Sequence, residues 1–219
     1  MVEVCFNGNS NRPADGILVF LQMLYVSLVI ASIVLFTTVA QINLLGFQLK
    51  ISGSVIPYVA LYSVSFIILK IYGYKSVNQT IACMMIASLL FIIICHTVVN
   101  LQTPASSNQQ LQLAESTYQM YFAGFIALPL GMYSSFLALA LLNKIGLSFG
   151  VISLSLATVI GETINTIVVF PIGFHGVYSI ETIFQEIITN TLIFKFIAGI
   201  ILAIITNLVI KLLAKRYES

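Results

Sequence analysis

Six long apolar stretches constrain this sequence more than any other feature. They lie near residues 17–40, 54–72, 81–99, 120–142, 147–172 and 188–213. Each is close to the length of about 20 residues that an α-helix needs to cross a bilayer. Only 7% of the 219 residues are charged, against about 25% in a typical soluble domain. The sequence therefore predicts an all-α integral membrane protein, with about six transmembrane helices in a single domain over 1–219.

The connections between these stretches are of two kinds. Residues 44–53 form a short connection, and residues 100–119 form a long segment rich in Gln, Ser and Asn. Its polarity indicates that this long segment lies in water, as a loop or a short surface helix.

The basic residues predict how the bundle is oriented, because cytoplasmic segments carry an excess of Lys and Arg. If the N-terminus is cytoplasmic, the outside segments hold only Lys50. The inside segments then hold seven basic residues: Arg12, Lys70, Lys75, Lys144, Lys211, Lys215 and Arg216. We therefore expect a multi-pass protein of the cell (inner or plasma) membrane with both termini cytoplasmic.

Several functional classes find no support in the sequence. The net charge of +2 is too small to suggest nucleic-acid binding. The two histidines lie far apart, with no acidic residue at a ligand spacing, so we expect no metal site. No Gly-rich phosphate loop, G-x-S-x-G or H-E-x-x-H motif occurs. The sequence predicts neither a cofactor nor an enzyme.

Two charged residues interrupt the apolar stretches. Glu162 lies in the fifth stretch and Lys195 in the sixth. A charge in mid-membrane costs about 2.5 kcal/mol or more and is by default a functional candidate. A rise of 1.5 Å per residue puts both side chains roughly 10 Å below the same membrane face. The two helices are consecutive, so these opposite charges can pair or share a water-filled cavity.

A polar stripe surrounds Glu162 at helical spacing. It consists of Ser155, Thr158, Glu162, Asn165 and Thr166. One interpretation is a substrate site, and the other is an interhelical hydrogen-bond seam, in which Ser, Thr and Asn often act. The full carboxylate favours the substrate site. In the second stretch Tyr58, Tyr62 and Ser65 recur at helical spacing and offer a stacking face with hydroxyl groups, although core packing explains them equally well.

Three segments resemble the VUT (vitamin uptake transporter-like) family of queuosine precursor transporters. The first is LLGFQLKISGSVIPYVALYSVSFIILKIYGYKSVNQTIA (44–82), in which the matching positions are Gly46, Phe47, Gly53, Pro57, Tyr72, Gly73 and Lys75. The second is ATVIGETINTIVVFPIGF (157–174), with Thr158, Glu162, Thr166 and Phe174 in place. The third is LIFKFIAG, in which Lys195 falls on a lysine typical of the family.

The sequence also departs from this family at several positions. The family's second-span Asp falls on Ser65 or Phe66, and its fifth-span Asp falls on Asn165. Lys70 occupies a position that is acidic or polar in the family, and Phe122 replaces a common Arg. The chain is therefore identified as a divergent member.

The resemblance implies uptake of a 7-deazaguanine such as preQ0 or preQ1, or of a related small heterocycle. A guanine-type edge offers two adjacent N–H donors, which a carboxylate such as that of Glu162 can accept. The predicted substrate-binding residues are Glu162, Asn165, Lys195, Thr158, Thr166, Tyr62 and Ser65. The expected partners are a nucleobase-like small molecule, the lipid bilayer and a second copy of the chain in a homo-oligomer.

Two other functions stay open at this point. The chain could be the substrate-binding membrane subunit of a multi-component vitamin uptake system, since its size and six spans suit that role equally well. It could instead be a membrane enzyme or a structural partner. A lone acid and a lone amine are thin support for catalysis, and a structural role does not explain two buried charges.

Overall fold

The computed structural model describes residues 16–36, 39–44, 47–101, 108–174 and 179–218. Arg12 and Gly46 lie outside this part of the chain. The elements are, in chain order, α1 Gly16–Phe36, β1 Val39–Leu44, β2 Phe47–Ser52, α2 Val55–Leu101, α3 Asn108–Lys144, α4 Val151–Gly173, α5 Ile180–Thr182 and α6 Thr189–Glu218. A π-helical turn, Ile183–Ile188, joins α5 to α6.

Five helices of the described chain are long and apolar enough to cross a membrane. They confirm the prediction of a helical membrane protein. The count differs from the expected six because the segments 54–72 and 81–99 both lie in α2. Gly73 interrupts this helix, with a φ of 83° and a ψ of 175°. Glycine suits this position because a positive φ carries no Cβ penalty for it.

The half of α2 before Gly73 packs along α1 in the opposite chain direction. Tyr58 lies beside Ser32 of α1, and Ser65, two turns further on, lies beside Tyr25. The residue number therefore rises along one helix as it falls along the other.

The half of α2 after Gly73 packs along α1 in the same chain direction. The Gln22 side-chain amide donates to the Thr80 hydroxyl at 3.2 Å. Further along both helices, Ile33 and Phe91 line the same small cavity of about 40 Å³. The two halves of α2 therefore run in opposite directions relative to α1.

The expectation of a purely α-helical chain is wrong at the segment after α1. The first apolar stretch was expected to reach residue 40, but α1 ends at Phe36 and the chain forms an antiparallel hairpin. In its register Val39 pairs with Ser52, and Leu44 pairs with Phe47. Apolar and polar residues alternate in FQLKIS, which is the period-2 signal of a strand. β2 lies beside the π-helical turn and α6.

The polar segment 100–119 is also more helical than expected. α2 continues to Leu101, and α3 begins at Asn108, so that residues 108–119 lengthen the fourth predicted span. Of the two forms expected for this segment, a loop or a short surface helix, the helix is present over residues 108–119, where it extends α3 instead of standing alone.

The connection between α3 and α4 follows from its local sequence. α3 ends at Lys144, and Gly146 adopts a left-handed φ of 89°, which is the usual way to end a helix. The Ser153 hydroxyl accepts the Gly150 N–H at 2.9 Å and donates to the Ser148 carbonyl at 2.8 Å. These bonds start α4 at Val151 rather than at the expected residue 147.

The most extensive contact between two helices is that of α3 with α4, and α6 packs against both α2 and α4. α4 therefore has two differently packed sides, one toward α3 and one toward α6. The polar stripe of α4 is mostly buried between its neighbours: Thr158, Glu162, Asn165 and Thr166 are buried.

Candidate functional site

A buried ion pair joins α4 to α6. Lys195 of α6 donates from Nζ to Glu162 Oε2 at 2.5 Å and to Thr166 Oγ1 at 2.9 Å. Glu162 is 1% exposed and Lys195 is 3% exposed. The predicted pairing of the two charges is therefore present in the structure. Thr166 lies one turn after Glu162, so that a single ammonium group bonds to both side chains.

The structure gives the position of each charge along its own helix. Glu162 lies midway between Val151 and Gly173, the two ends of α4. Lys195 comes soon after the start of α6, but the helical stretch already begins at Ile180. At about 1.5 Å per residue this places Lys195 roughly 20 Å from that start. Glu162 therefore lies at the midpoint of α4, whereas Lys195 lies six residues after the first residue of the apolar span Thr189–Lys215.

The aromatic ring of Tyr58 completes the surroundings of the ammonium group. Lys195 Nζ lies 5.2 Å from the centroid of the Tyr58 ring. An ammonium within about 6 Å of an aromatic ring is attracted by the negative face of the ring. Tyr58 was considered in the sequence for its spacing but was not selected as a site residue. Its position four residues before Tyr62 was the signal that could have found it.

Several buried polar atoms beside the ion pair have no hydrogen-bond partner among the described residues. They are Glu162 Oε1, both amide atoms of Asn165 and the hydroxyl of Tyr62. Asn165 and Tyr62 both lie close to the Glu162 carboxylate, but without hydrogen-bond geometry. Leaving a buried donor or acceptor unpaired costs about 1–3 kcal/mol. Several unpaired hydrogen-bonding groups, each costly to bury, therefore lie together beside the ion pair.

A close contact between two glycines positions these groups. A Cβ on Gly161 of α4 would lie 2.6 Å from the Gly131 carbonyl oxygen of α3. A Cβ on Gly131 would lie 2.5 Å from the Tyr62 hydroxyl and 2.8 Å from the Asn165 Cβ. Only hydrogen fits at either position. The two glycines thus allow the backbone of α3 to approach Tyr62 and Asn165 closely.

The remaining two predicted residues lie at the margin of this cluster. Thr158 donates to its own helix, to the Leu154 carbonyl at 2.8 Å, and packs near Gly199 of α6. Ser65 donates to the Leu61 carbonyl at 2.9 Å. The structure therefore brings Glu162, Lys195, Thr166, Asn165 and Tyr62 together, and leaves Thr158 and Ser65 with partners of their own. That these residues bind a substrate stays a prediction.

Two further buried polar groups escaped the sequence analysis. The Thr191 and Tyr25 hydroxyl groups are buried without a partner in the described part of the chain. Thr191 lies one helical turn before Lys195, a spacing that could have revealed it. Tyr25 lies in the first span, where other polar residues such as Gln22 and Ser32 also occur, so its hydroxyl gave no distinct signal. Across the described residues, no three His, Cys, Asp or Glu side chains are grouped to hold a metal.

A comparison with models of protein families gave a match. A family model described as "Putative vitamin uptake transporter" matches residues 52–209. This range covers most of the chain and contains Tyr58, Tyr62, Glu162, Asn165 and Lys195. Searches of curated proteins and of solved structures gave no match.

Proposed function

This chain belongs to the vitamin uptake transporter family, and we propose that it carries a 7-deazaguanine, or a related small heterocycle, into the cell. Membrane transport of a small molecule is supported independently of which cargo is carried. The chain is a multi-pass membrane protein with helices that suit a bilayer, and its family implies transport of a small molecule rather than catalysis.

The observation that carries the proposal is the unused hydrogen-bonding capacity beside the ion pair. Polar groups in mid-membrane are costly and mark substrate or ion pathways. Here one carboxylate oxygen, one amide and one phenol are buried together without partners among the described residues. A polar ligand would supply the missing partners, whereas a purely structural seam would be expected to satisfy them internally.

The available atoms suit the edge of a guanine-type base. Lys195 already donates to Glu162 Oε2. Oε1 has no partner in the described chain and is therefore the oxygen assigned to accept one N–H of the ligand. The Asn165 amide supplies a second acceptor and a donor, which match a neighbouring N–H and a ring carbonyl. The Tyr62 hydroxyl can serve as donor or acceptor. We therefore assign recognition to Glu162 and Asn165 together, rather than to a bidentate carboxylate alone.

The remaining residues would have supporting roles. Lys195 and Thr166 hold the Glu162 carboxylate in place, and the ring of Tyr58 lies against the ammonium of Lys195. Thr158 and Ser65, whose hydroxyl groups already have partners, would at most shape the walls of the site. No metal and no cofactor take part in this proposal.

We further propose six membrane crossings within one domain over 1–219, with both termini cytoplasmic in the cell membrane. The opposite directions of the two halves of α2 support this count, since each half is long enough to cross once. The excess of basic residues in the segments assigned to the inside supports the orientation. We also propose that the chain forms a homo-oligomer and has no nucleic-acid partner.

Ligand-induced thermal stabilisation tests the cargo directly. The purified protein would be heated in detergent with preQ0, preQ1, queuine, guanine and several vitamins. A ligand at 100 times its Kd stabilises the folded state by about 2.7 kcal/mol. We expect a shift with a deazaguanine that disappears in Asn165→Leu. A shift with a vitamin alone would replace the cargo, and no shift with a folded sample would contradict the site.

Uptake into vesicles separates the two transport roles. We expect the reconstituted chain alone to accumulate the deazaguanine that stabilises it. Binding without uptake, together with co-purification of ATPase subunits, would instead identify the chain as the substrate-binding subunit of a multi-component vitamin uptake system.

A further inference from the structure

A groove of about 580 Å³ lies between α4 and α6 and borders the buried ion pair. Its walls are mostly apolar and include Ile193, Phe196 and Ile197 of α6. These three side chains are exposed on the surface of the bundle, where Phe196 is 49% exposed. Glu162 and Lys195 also line the groove, although both are almost wholly buried. The groove therefore joins the lipid-facing surface to the polar site.

The groove has the size and the chemistry of a small-molecule site. Ligand pockets typically measure about 300–1,000 Å³ and combine apolar walls with a few placed polar groups. Here the polar groups of the lining are Glu162, Thr163 and Lys195. Among them, Glu162 Oε1 is buried without a partner among the described residues. A lipid acyl chain would pack against the apolar walls of the groove but would leave this oxygen without a hydrogen-bond partner.

We propose that the groove admits a flat, largely apolar molecule with N–H donors on one edge, and that this molecule reaches Glu162 from the bilayer. The apolar ring lies against Phe196 and Ile197, and the donor edge faces Glu162 Oε1. A hydrogen bond to an ionised carboxylate is about twice as strong as one between neutral groups. The inference rests on the proposed function in using Glu162 as the acceptor, and it adds a lateral entrance for membrane-soluble ligands.

The absence of Trp from the sequence makes the groove accessible to a fluorescence experiment. Phe196→Trp places a single Trp in the groove, and Leu208→Trp places one on the lipid-facing surface of α6, where Leu208 is 57% exposed. Both variants would be reconstituted in vesicles of brominated phosphatidylcholine, which quenches Trp on contact. The probe is 2-aminobenzimidazole, a flat bicycle with adjacent N–H donors, and the control is 1-methylbenzimidazole, which has none.

We expect 2-aminobenzimidazole to relieve quenching in Phe196→Trp but not in Leu208→Trp, and 1-methylbenzimidazole to relieve neither. The pair variant Glu162→Gln/Lys195→Met, added to Phe196→Trp, leaves no unpaired buried charge. It should raise the half-saturating probe concentration by about threefold to tenfold, because the amide oxygen that replaces the carboxylate still accepts the N–H, in a hydrogen bond about half as strong.

Three results would overturn the inference: no relief at Phe196→Trp, equal relief at both Trp positions, or an unchanged half-saturating concentration in the pair variant. The proposed function can fail separately. If a deazaguanine stabilises the protein while the probe has no effect on quenching, the entrance is refuted and the cargo stands. If the probe relieves quenching and no deazaguanine stabilises the protein, the groove stands and the cargo is refuted.

Discussion

The two sides of α4 hold their neighbours by different means. On one side Gly161 meets Gly131 of α3 so closely that neither position has room for a Cβ. On the other side Glu162, the next residue, pairs with Lys195 of α6 and borders a groove. The first interface depends on shape, and the second depends on charge.

This difference indicates which interface can change during transport. Close-packed small residues gain van der Waals contact only at one separation, so that any opening loses the contact. An ion pair with spare acceptors can exchange partners with a ligand, and the groove beside it gives the helices space to move. We infer that α3 and α4 move together as one unit, while the interface of α4 with α6 opens.

We expect the largest loss of stability when only one residue of the Glu162–Lys195 ion pair is replaced. Lys195→Met leaves Glu162 buried without its cation, which should lower the stability by about 3–5 kcal/mol. The pair variant Glu162→Gln/Lys195→Met should recover most of that loss, because no unpaired charge is left. Thermal unfolding in detergent measures both variants.

Lys70→Met is the matched control for this comparison. Lys70 is exposed, and its ammonium lies 5.0 Å from the centroid of the Phe149 ring. Removing an exposed cation–π contact should cost about 0.5–1 kcal/mol. Equal melting temperatures for Lys195→Met and the pair variant would show that the charges do not depend on each other.

The shape-based interface should respond to one added methyl group. Gly131→Ala forces a Cβ against the Tyr62 hydroxyl and the Gly161 carbonyl, and overpacking of this kind costs about 1–3 kcal/mol. Gly124→Ala, two turns earlier in α3, is the control because its Cβ would lie at an ordinary 3.5 Å from the Tyr58 hydroxyl. A stable Gly131→Ala protein would mean that α3 and α4 separate easily, contrary to the rigid unit inferred here.

The charged part of the site could be predicted from the sequence because charges are rare in apolar stretches. Glu162 and Lys195 were each conspicuous, and the spacing of four residues placed Thr166 on the same helix face as Glu162. Their equal depth followed from consecutive antiparallel helices. These conclusions needed only composition and helical geometry.

The shape-based part could not be predicted in the same way. Glycine is ordinary in membrane helices, so that Gly131 and Gly161 meant little until the structure showed that α3 and α4 are in contact. The groove likewise depends on which faces of α4 and α6 meet. The hairpin at 39–52 was missed for another reason: residues 39 and 40 were assigned to the end of the first apolar stretch, and residues 44–53 were assigned to a short connection.

The smallest change in stability is expected for a substitution of Asn165, and this change is an increase. Both amide atoms of Asn165 are buried without partners in the described chain, so Asn165→Leu removes an unmet desolvation cost and keeps the branching at Cγ. We expect the melting temperature without ligand to rise, by the equivalent of about 1 kcal/mol. Thr158→Val should not raise it, because the Thr158 hydroxyl already has a partner in the Leu154 carbonyl.

Ligand binding shows whether the unpaired amide of Asn165 recognises a substrate. If Asn165 recognises the cargo, the more stable Asn165→Leu protein should lose stabilisation by any deazaguanine, and stability and binding should change in opposite directions. A seam that only joins helices predicts the reverse, namely a less stable protein with unchanged ligand response. Thermal unfolding of Asn165→Leu with and without preQ0 therefore distinguishes a binding site from a structural contact at one residue.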